Sequence, residues 1–344
     1  MRLEGNLERS WRFSRSCAGF VFALAVLAAG STEPAQSKTV KFDPPGSTST
    51  FPRAINDNGW ITGIYLDGEG AIRSFLRAPD GTITTIDIPG APCGIYAWGI
   101  NRGGTVVGEG QDSDCKSHGY VRAADGTVAV LDVPGAVQTS ALAINNKGVV
   151  AGAYRDGSDH AHGFLRKTDG AFRTFDPPDS IFTNAVSINN AGAIAGNYQD
   201  STQVWHGFVR AKDGTITTFD PPDSTHTYTS GINDSGEIVG AYKIDNFTTY
   251  AFVRKANGEI SKVDPEGSAS VLACGINNDG TVTGFYQSDI VHGFLRRADG
   301  AIKLFDVKDA HGGTSPFAIN GRGNIAGTFG ASDEDTSHGF VRGH

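Results

Sequence analysis

A unit of about 44 residues is repeated seven times along the chain, and the repeats fill it from residue 38 to the end. Residues 162–180 read HGFLRKTDGAFRTFDPPDS, and residues 206–224 read HGFVRAKDGTITTFDPPDS. Each unit also contains the dipeptide Ile-Asn, whose asparagines are Asn56, Asn101, Asn145, Asn189, Asn233, Asn277 and Asn320. A repeat of this length is typical of chains that stack one supersecondary unit against the next.

Each unit contains four short runs with the character of β-strands. In one unit they read TSALAIN, VVAGAY, HGFLR and AFRTFD, and we call them strands A, B, C and D. The runs are rich in Val, Ile, Phe and Thr and lack a helical period. Glycine follows strand A at the turn, Asp-Gly joins C to D, and prolines end D. The pattern predicts an all-β protein built from the four-stranded antiparallel blades of a β-propeller.

The two ends of the repeat array complement each other. The array begins with a lone D strand, TVKFD at 39–43, continues with six A-B-C-D sets and ends with A-B-C. The first strand can therefore complete the last set. This arrangement predicts a seven-bladed β-propeller whose last blade combines one N-terminal strand with three C-terminal strands.

The repeated tripeptide resembles that of the HAF family of extracellular repeat proteins, named after His-Ala-Phe. The tripeptide is His-Gly-Phe here, for example at 162–164 and 206–208, and one unit has Tyr250-Ala251-Phe252. The resemblance covers all seven units. It implies an exported repeat protein and implies no particular reaction.

The first 37 residues differ from the repeats. Four arginines precede the mostly apolar run CAGFVFALAVLAA, and small residues follow it. This order predicts a secretory signal peptide over 1–37, cleaved near residue 30 or 37, followed by a propeller over 38–344. The apolar run is too short to span a bilayer. We expect a secreted or periplasmic protein without a membrane span in its mature form.

Charge and motifs exclude several classes of function. The formal net charge is −8, and lysines and arginines form no cluster, which argues against a nucleic-acid partner. The sequence contains no G-x-S-x-G, H-E-x-x-H or phosphate-binding loop motif. We therefore expect a binding protein more than an enzyme.

Two cysteines fall in loops that a blade brings together. Cys93 precedes a strand A, and Cys115 lies between strands B and C of the same unit. Both loops lie at the same end of an antiparallel blade, so we predict a disulfide between these cysteines. Cys274 lies within a strand A, and we expect a buried thiol there.

Histidine at the start of strand C should lie beside the aspartate that ends strand D, since C and D form a hairpin. We interpret these residues as structural and assign no metal to them. The histidines are His118, His162, His206, His292 and His338, and the aspartates include Asp87, Asp132, Asp176, Asp220 and Asp264.

The loops between strands B and C vary in sequence, yet each has an early aspartate. These are Asp67, Asp112, Asp156, Asp200, Asp245, Asp289 and Asp333. The B–C and D–A loops should share one face, where the aspartates are candidate binding residues. Calcium prefers such oxygen ligands, but no segment has the spacing of a dedicated Ca²⁺ loop. The alternative is that each aspartate begins a turn and stays solvated.

These features lead to a hypothesis of function. We expect a monomeric binding or scaffold module, without a cofactor unless Ca²⁺ binds, whose variable loops bind a carbohydrate, peptide or protein. Aromatic residues near those loops, among them Trp205, Tyr228, Phe247 and Tyr250, could contact a ligand. The alternative is an extracellular lyase or hydrolase that uses the acidic mouth, with or without a metal.

Overall fold

The computed structural model describes residues 38–265, 268, 270–331 and 336–343, and these residues form an all-β protein of 28 strands. The predicted signal peptide lies outside the described residues, as does Asp333. Within the described part, no helix is long and apolar enough to cross a membrane.

The strands follow the predicted order A, B, C and D, and we number the repeat units 1 to 7. Strands A are β2 (Ser47–Ile55), β6 (Gly94–Ile100), β10 (Gln138–Ile144), β14 (Ser180–Ile188), β18 (His226–Ile232), β22 (Ser270–Ile276) and β26 (Gly313–Ile319). Strands B are β3 (Ile61–Asp67), β7 (Val106–Gln111), β11 (Val150–Arg155), β15 (Ile194–Asp200), β19 (Ile238–Lys243), β23 (Val282–Gln287) and β27 (Ile325–Gly330). Strands C are β4 (Ile72–Arg77), β8 (Ser117–Arg122), β12 (Ala161–Arg166), β16 (Trp205–Arg210), β20 (Thr249–Arg254), β24 (Val291–Arg296) and β28 (Ser337–Arg342). Strands D are β5 (Ile83–Ile86), β9 (Val128–Leu131), β13 (Phe172–Phe175), β17 (Ile216–Phe219), β21 (Ile260–Val263), β25 (Ile302–Phe305) and, for unit 7, β1 (Thr39–Phe42).

Consecutive strands of each unit pair antiparallel. Units 1, 2 and 7 are separate four-stranded sheets, while units 3 and 4 form one eight-stranded sheet and units 5 and 6 another. Each larger sheet is two four-stranded meanders joined by one parallel pair, Ala161 with Phe182 and Thr249 with Ser270. The four-stranded unit is therefore the common building block.

The N-terminal strand completes the last unit, as its place in the sequence predicts. Strand β1 lies antiparallel to β28, with Thr39 opposite Arg342 and Phe42 opposite Gly339. The resulting sheet has the order β1-β28-β27-β26. Strand β2 of unit 1 also packs against β27 and β28 of unit 7.

A phenylalanine or tyrosine of strand C forms the centre of each unit's core. These rings are Phe75, Tyr120, Phe164, Phe208, Phe252, Phe294 and Phe340, and all are fully buried. Each packs across the strand-B glycine of its unit; in unit 3, Gly152 lies opposite Phe164. A Cβ at Gly152 would overlap the carbonyl oxygen of Ser140 and meet the Phe164 ring at 2.9 Å. Glycine is therefore required for strands A, B and C to approach this closely.

The arginine that ends strand C joins neighbouring units. In unit 1 the Arg77 guanidinium lies over the ring of Phe42, which ends the D strand of unit 7, at 4.9 Å. The same contact recurs for Arg210 with Phe175, Arg254 with Phe219 and Arg342 with Phe305, at 4.7–4.9 Å. Arg77 also donates to the carbonyl of Ala78 at 3.1 Å, and its aromatic partner was not predicted from the sequence.

The seven Ile-Asn asparagines form a closed cycle of hydrogen bonds. The Nδ2 group of each asparagine donates to the main-chain carbonyl of the next, and Asn320 donates to Asn56, with distances of 2.9–3.4 Å. The Oδ1 atom caps the asparagine's own A–B turn; Asn145, for example, accepts the amides of Lys147 and Val149. All seven side chains are buried.

Removing one asparagine should weaken the fold at two units. Asn189→Ala loses the bond to the Asn233 carbonyl and the bond from the Ala193 amide, each 2.9 Å long. We expect the free energy of unfolding to fall by about 2–3 kcal/mol, because buried partners are left unsatisfied. Urea unfolding measures the change.

The matched control is Asn246→Ala in an exposed loop of unit 5. It should change stability by less than about 0.5 kcal/mol. Equal effects of the two substitutions would contradict a structural role of the cycle.

Candidate ligand-binding face

The predicted disulfide defines the edge at which the B–C and D–A loops meet. Cys93 and Cys115 form a disulfide, with Cα atoms 5.4 Å apart. Cys93 also donates its amide to the carbonyl of Gln111, at the end of β7. The two loops of unit 2 are therefore tied together, and we call this edge of the molecule the B–C face. Cys274, expected to be buried, is only half-buried in β22.

The predicted loop aspartates organise their own loops. In unit 3, Asp156 accepts the amides of Ser158 and His160 through Oδ1, at 2.8 and 3.0 Å. Asp67, Asp112 and Asp200 accept two amides of their loops in the same way, and Asp245 accepts those of Phe247 and Thr248. These five aspartates thus begin turns, as one of the two alternatives from sequence required, whereas Asp289 accepts the Ser288 hydroxyl at 2.7 Å.

The second carboxylate oxygen contacts the histidine that begins strand C. Asp156 Oδ2 lies 3.3 Å from His162 Nε2, and Asp176 Oδ2 lies 2.7 Å from His162 Nδ1. The same Asp–His–Asp arrangement joins Asp112, His118 and Asp132; Asp200, His206 and Asp220; and Asp289, His292 and Asp306. His338 contacts Asp43 of β1 at 2.8 Å. The predicted contact between this histidine and the strand-D aspartate is therefore present in five units.

Two units replace the histidine. In unit 1, Arg73 donates to Asp67 at 3.1 Å, while Asp87 is exposed. In unit 5, Tyr250 takes the position, and Lys262 pairs with Asp264 at 2.8 Å and lies over the Tyr250 ring. In each of these two units, a basic side chain of strand C or D therefore pairs with one aspartate of the edge.

Pairing shifts the acid–base properties of these groups. Burial alone would lower the pKa of His162, His206 and His292, but hydrogen bonds to two aspartates outweigh it and raise the pKa. For His118 the bond to Asp132 is the main cause of a raised pKa. Backbone amides, led by that of Val204, lower the pKa of Asp200 to about 2. The charged forms of both partners are thus favoured.

These carboxylates are already engaged, which limits what else they can hold. Among the described residues, no three His, Cys, Asp or Glu side chains are arranged to hold a metal ion. The carboxylates of the Asp–His–Asp sets already accept hydrogen bonds from amides or hydroxyls and contact imidazoles. The aspartates of these loops therefore stabilise the turns and make the B–C face acidic.

A group of aromatic side chains, whose combination is particular to units 4 and 5, lies along the B–C face. Trp205 contacts Phe182 edge-on at 5.4 Å and Tyr228 at 6.2 Å. His226 lies 6.3 Å from Tyr228 and accepts the Trp205 amide through Nδ1. Burial, with the charge of Lys243, lowers the pKa of His226. We call Phe182, Trp205, His226 and Tyr228 the aromatic row; its four members are half-buried.

Two non-repeated charged residues, the half-buried Arg53 and the buried Glu109, were not predicted from the sequence to have a role. Arg53 of β2 lies over the rings of Trp98 and Phe317, from the two flanking units, at 5.5 and 5.4 Å, and burial lowers its pKa to about 10. Glu109 of β7 is buried, accepts the Ser140 hydroxyl of unit 3, and has a pKa raised by burial. Both residues join adjacent units.

A cavity lies at each of the two loop edges of the described structure. One, of about 230 Å³, lies at the A–B turns and is lined by the Ile-Asn dipeptides and the residues that follow them, including Asp57, Arg102 and Asp234. The other, of about 180 Å³, belongs to unit 2 alone and lies on the B–C face beside His118 and Val130. Sequence reasoning found neither.

The pairing predicts how stability depends on pH. The histidine pKa values are raised, so their stabilisation is complete below about pH 6.5 and is lost as pH rises through the folded values. The aspartate pKa values are lowered, so their stabilisation is present above about pH 4 and is lost as pH falls. Urea midpoints should therefore be highest between these limits, and NMR titration should place His162, His206 and His292 above His226.

His206→Gln should reduce the loss of stability between pH 6 and 9. His160→Gln, at an exposed loop position of unit 3, is the control and should leave the profile unchanged. A His206→Gln profile identical to that of the wild type would refute the assignment.

Comparison with known proteins identifies the fold. No protein-family model matches the chain, and no curated protein is similar to it in sequence. A streptogramin B lyase structure is 11% identical, with a TM-score of 0.58 over 90% of this chain and 98% of that one. Virginiamycin B lyase from Staphylococcus aureus with quinupristin is 13% identical, with a TM-score of 0.58 over 89% and 99%. The β-propeller domain of the trilobed protease from Pyrococcus furiosus is 11% identical, with a TM-score of 0.60 over 86% and 95%. At such identities the likeness concerns the fold alone: the chain has a β-propeller fold.

Proposed function

We propose that the chain is a closed, seven-bladed β-propeller in which each repeat unit is one blade. The asparagine cycle supports this proposal, because it passes once through every unit and returns from Asn320 to Asn56. The pairing of β1 with β28 and the contact of Arg77 with Phe42 support closure between units 7 and 1.

We further propose that the protein is exported to an oxidising compartment, secreted or periplasmic, as a member of the HAF-repeat family. The Cys93–Cys115 disulfide supports this location, since such bonds persist outside the reducing cytosol. The predicted signal peptide over 1–37 is consistent with it.

We propose that the propeller works as a monomeric binding or scaffold module through its B–C face. The observation that carries the proposal is the contrast between two kinds of side chain on that face. The repeated aspartates and histidines bind one another, whereas the aromatic row is half-buried and its combination of residues is particular to units 4 and 5. Half-exposed aromatic rings with a polar edge suit sugar rings, peptides and protein partners. The ligand belongs to one of these classes.

An extracellular lyase or hydrolase is the second candidate. The cavity beside His118 favours it, because a histidine next to an open space is the usual start of a proton-transfer site. However, both nitrogens of His118 are hydrogen-bonded to aspartates, which raise its pKa and so favour the charged form. That form is a poor base near neutral pH.

A ligand screen with matched variants separates these functions. Glycan and peptide arrays, with and without EDTA, should yield a ligand that Trp205→Ala binds about tenfold more weakly, because Trp205 is the centre of the aromatic row. The control is Leu304→Ala, an exposed apolar residue of unit 6. Turnover that EDTA abolishes, with no binding on the arrays, would contradict the binding-module proposal.

Deletion of residues 38–45 tests closure. The truncated chain loses β1 and the Phe42 ring under Arg77, so unit 7 has an uncovered strand edge. We expect the free energy of unfolding to fall by several kcal/mol, on the order of 3 or more. Unchanged urea unfolding would overturn the closed arrangement.

A further inference from the structure

Six of the seven units have an aromatic residue two positions after the strand-B glycine. These residues are Tyr65, Tyr154, Tyr198, Tyr242, Tyr286 and Phe329. In four units the ring lies against the imidazole that begins strand C: Tyr154 on His162, Tyr198 on His206, Tyr286 on His292 and Phe329 on His338, with centroids 5.0–5.4 Å apart. A ring from strand B thus covers this histidine in four of the five units that have it.

Unit 2 departs from this rule at one position. Its residue is Gly110, so His118 has no ring from strand B beside it. The side chain of His118 is 41% exposed, against 26% for His162 and 21% for His206. Its two aspartate contacts are the same as in the sister units. The departure therefore uncovers the imidazole without changing how it is held.

The uncovered imidazole lies in a pocket of about 180 Å³. Its walls are the D–A loop at 88–91, Gly110 and Val130. The loop lies close: a Cβ on Gly110 would lie 2.8 Å from the Cβ of Ala91. Glycine at 110 thus permits the loop position, and the remaining space is large enough for one aromatic ring.

The pocket is fixed and apolar at its outer wall. The Cys93–Cys115 disulfide ties the end of the D–A loop to the B–C loop that follows Gly110. Val130, on β9, is 63% exposed, so an apolar side chain forms this wall. A ring placed on His118 would cover Val130 and would meet an imidazole held in its charged form, which attracts an aromatic face.

We propose that this pocket binds the aromatic side chain of a peptide or protein partner, whose ring lies on His118 as the tyrosine rings lie on the histidines of the sister units. The inference rests on the proposed binding function and specifies its ligand class.

The pocket also discriminates between aromatic residues. In unit 1 the hydroxyl of Tyr65 lies 3.2 Å from the Thr85 hydroxyl, on the D strand. Unit 2 has Val130 at the equivalent position, which offers no hydrogen bond. A tyrosine hydroxyl would lose water there without gaining a partner. The pocket therefore prefers phenylalanine to tyrosine.

NMR of the disulfide-bonded protein tests the proposal with three probes, the N-acetyl amides of phenylalanine, tyrosine and leucine. The phenylalanine probe should shift the Val130 methyl and His118 ring signals saturably at millimolar concentration. The tyrosine probe should bind about fivefold more weakly, and the leucine probe should cause no ring-current shift. No saturable shift with the phenylalanine probe overturns the proposal.

Two variants sharpen the test. Val130→Thr, at an exposed position, restores the threonine of units 1, 3 and 4 and should reverse the preference in favour of the tyrosine probe. Gly110→Tyr combined with Ala91→Gly should fill the pocket and abolish binding, whereas Tyr65→Phe in unit 1 should not affect it. An unchanged preference in Val130→Thr overturns the proposed ring position, independently of whether the double variant folds.

The arrays distinguish failure of this inference from failure of the proposed function. If a ligand requires Trp205 but binds equally well to the Gly110→Tyr, Ala91→Gly variant, the aromatic pocket is refuted and the binding-module proposal is retained. Arrays without any ligand, together with saturable binding of the phenylalanine probe, would refute the aromatic row and retain the pocket.

Discussion

The close approach of strands A, B and C is the constraint on which every unit depends. A glycine on strand B lets a buried strand-C ring lie directly against the backbone, and no larger residue fits between Ser140 and Phe164. That contact fixes the spacing of the sheet and therefore the positions of its two edges. The A–B turns then meet at one end of the molecule, and the B–C and D–A loops meet at the other. Both edge networks follow from a packing requirement in the core.

The two edges use their polar groups differently. At the A–B edge, asparagines bond from one unit to the next, so their contribution is to assembly. At the B–C edge, aspartate and histidine bond within a unit, so their contribution is to the single unit. Under the proposed binding function, the positions where a unit departs from the repeat are the candidates for contact with a ligand, since the repeated side chains already bind one another. Unit 2 and the aromatic row of units 4 and 5 contain such departures.

Much of the fold could be predicted from the sequence because its signals are local. Runs rich in β-forming residues, Asp-Gly turns and the offset of TVKFD predicted the strand order and the pairing of β1 with β28. Hairpin geometry also predicted the His–Asp contacts and the disulfide. Contacts between units were missed because they join distant parts of the sequence. The acceptor of Asn145 lies 44 residues away, and Phe42, which Arg77 contacts, belongs to the strand that completes unit 7. Gly110 is visible when the repeats are aligned, but only the surrounding loop positions show that it opens a pocket.

A cyclic chain of hydrogen bonds has no first or last link, and this affects how the molecule opens. A linear repeat array frays from its terminal units, whose single interface makes them the weakest. Here every asparagine is both donor and acceptor to a neighbour, including the pair that joins Asn320 to Asn56. Detaching any unit therefore breaks two links at once, and no unit is a natural starting point. Slow amide hydrogens around the A–B edge should consequently exchange through one shared global opening, and not through a graded series from the ends inward.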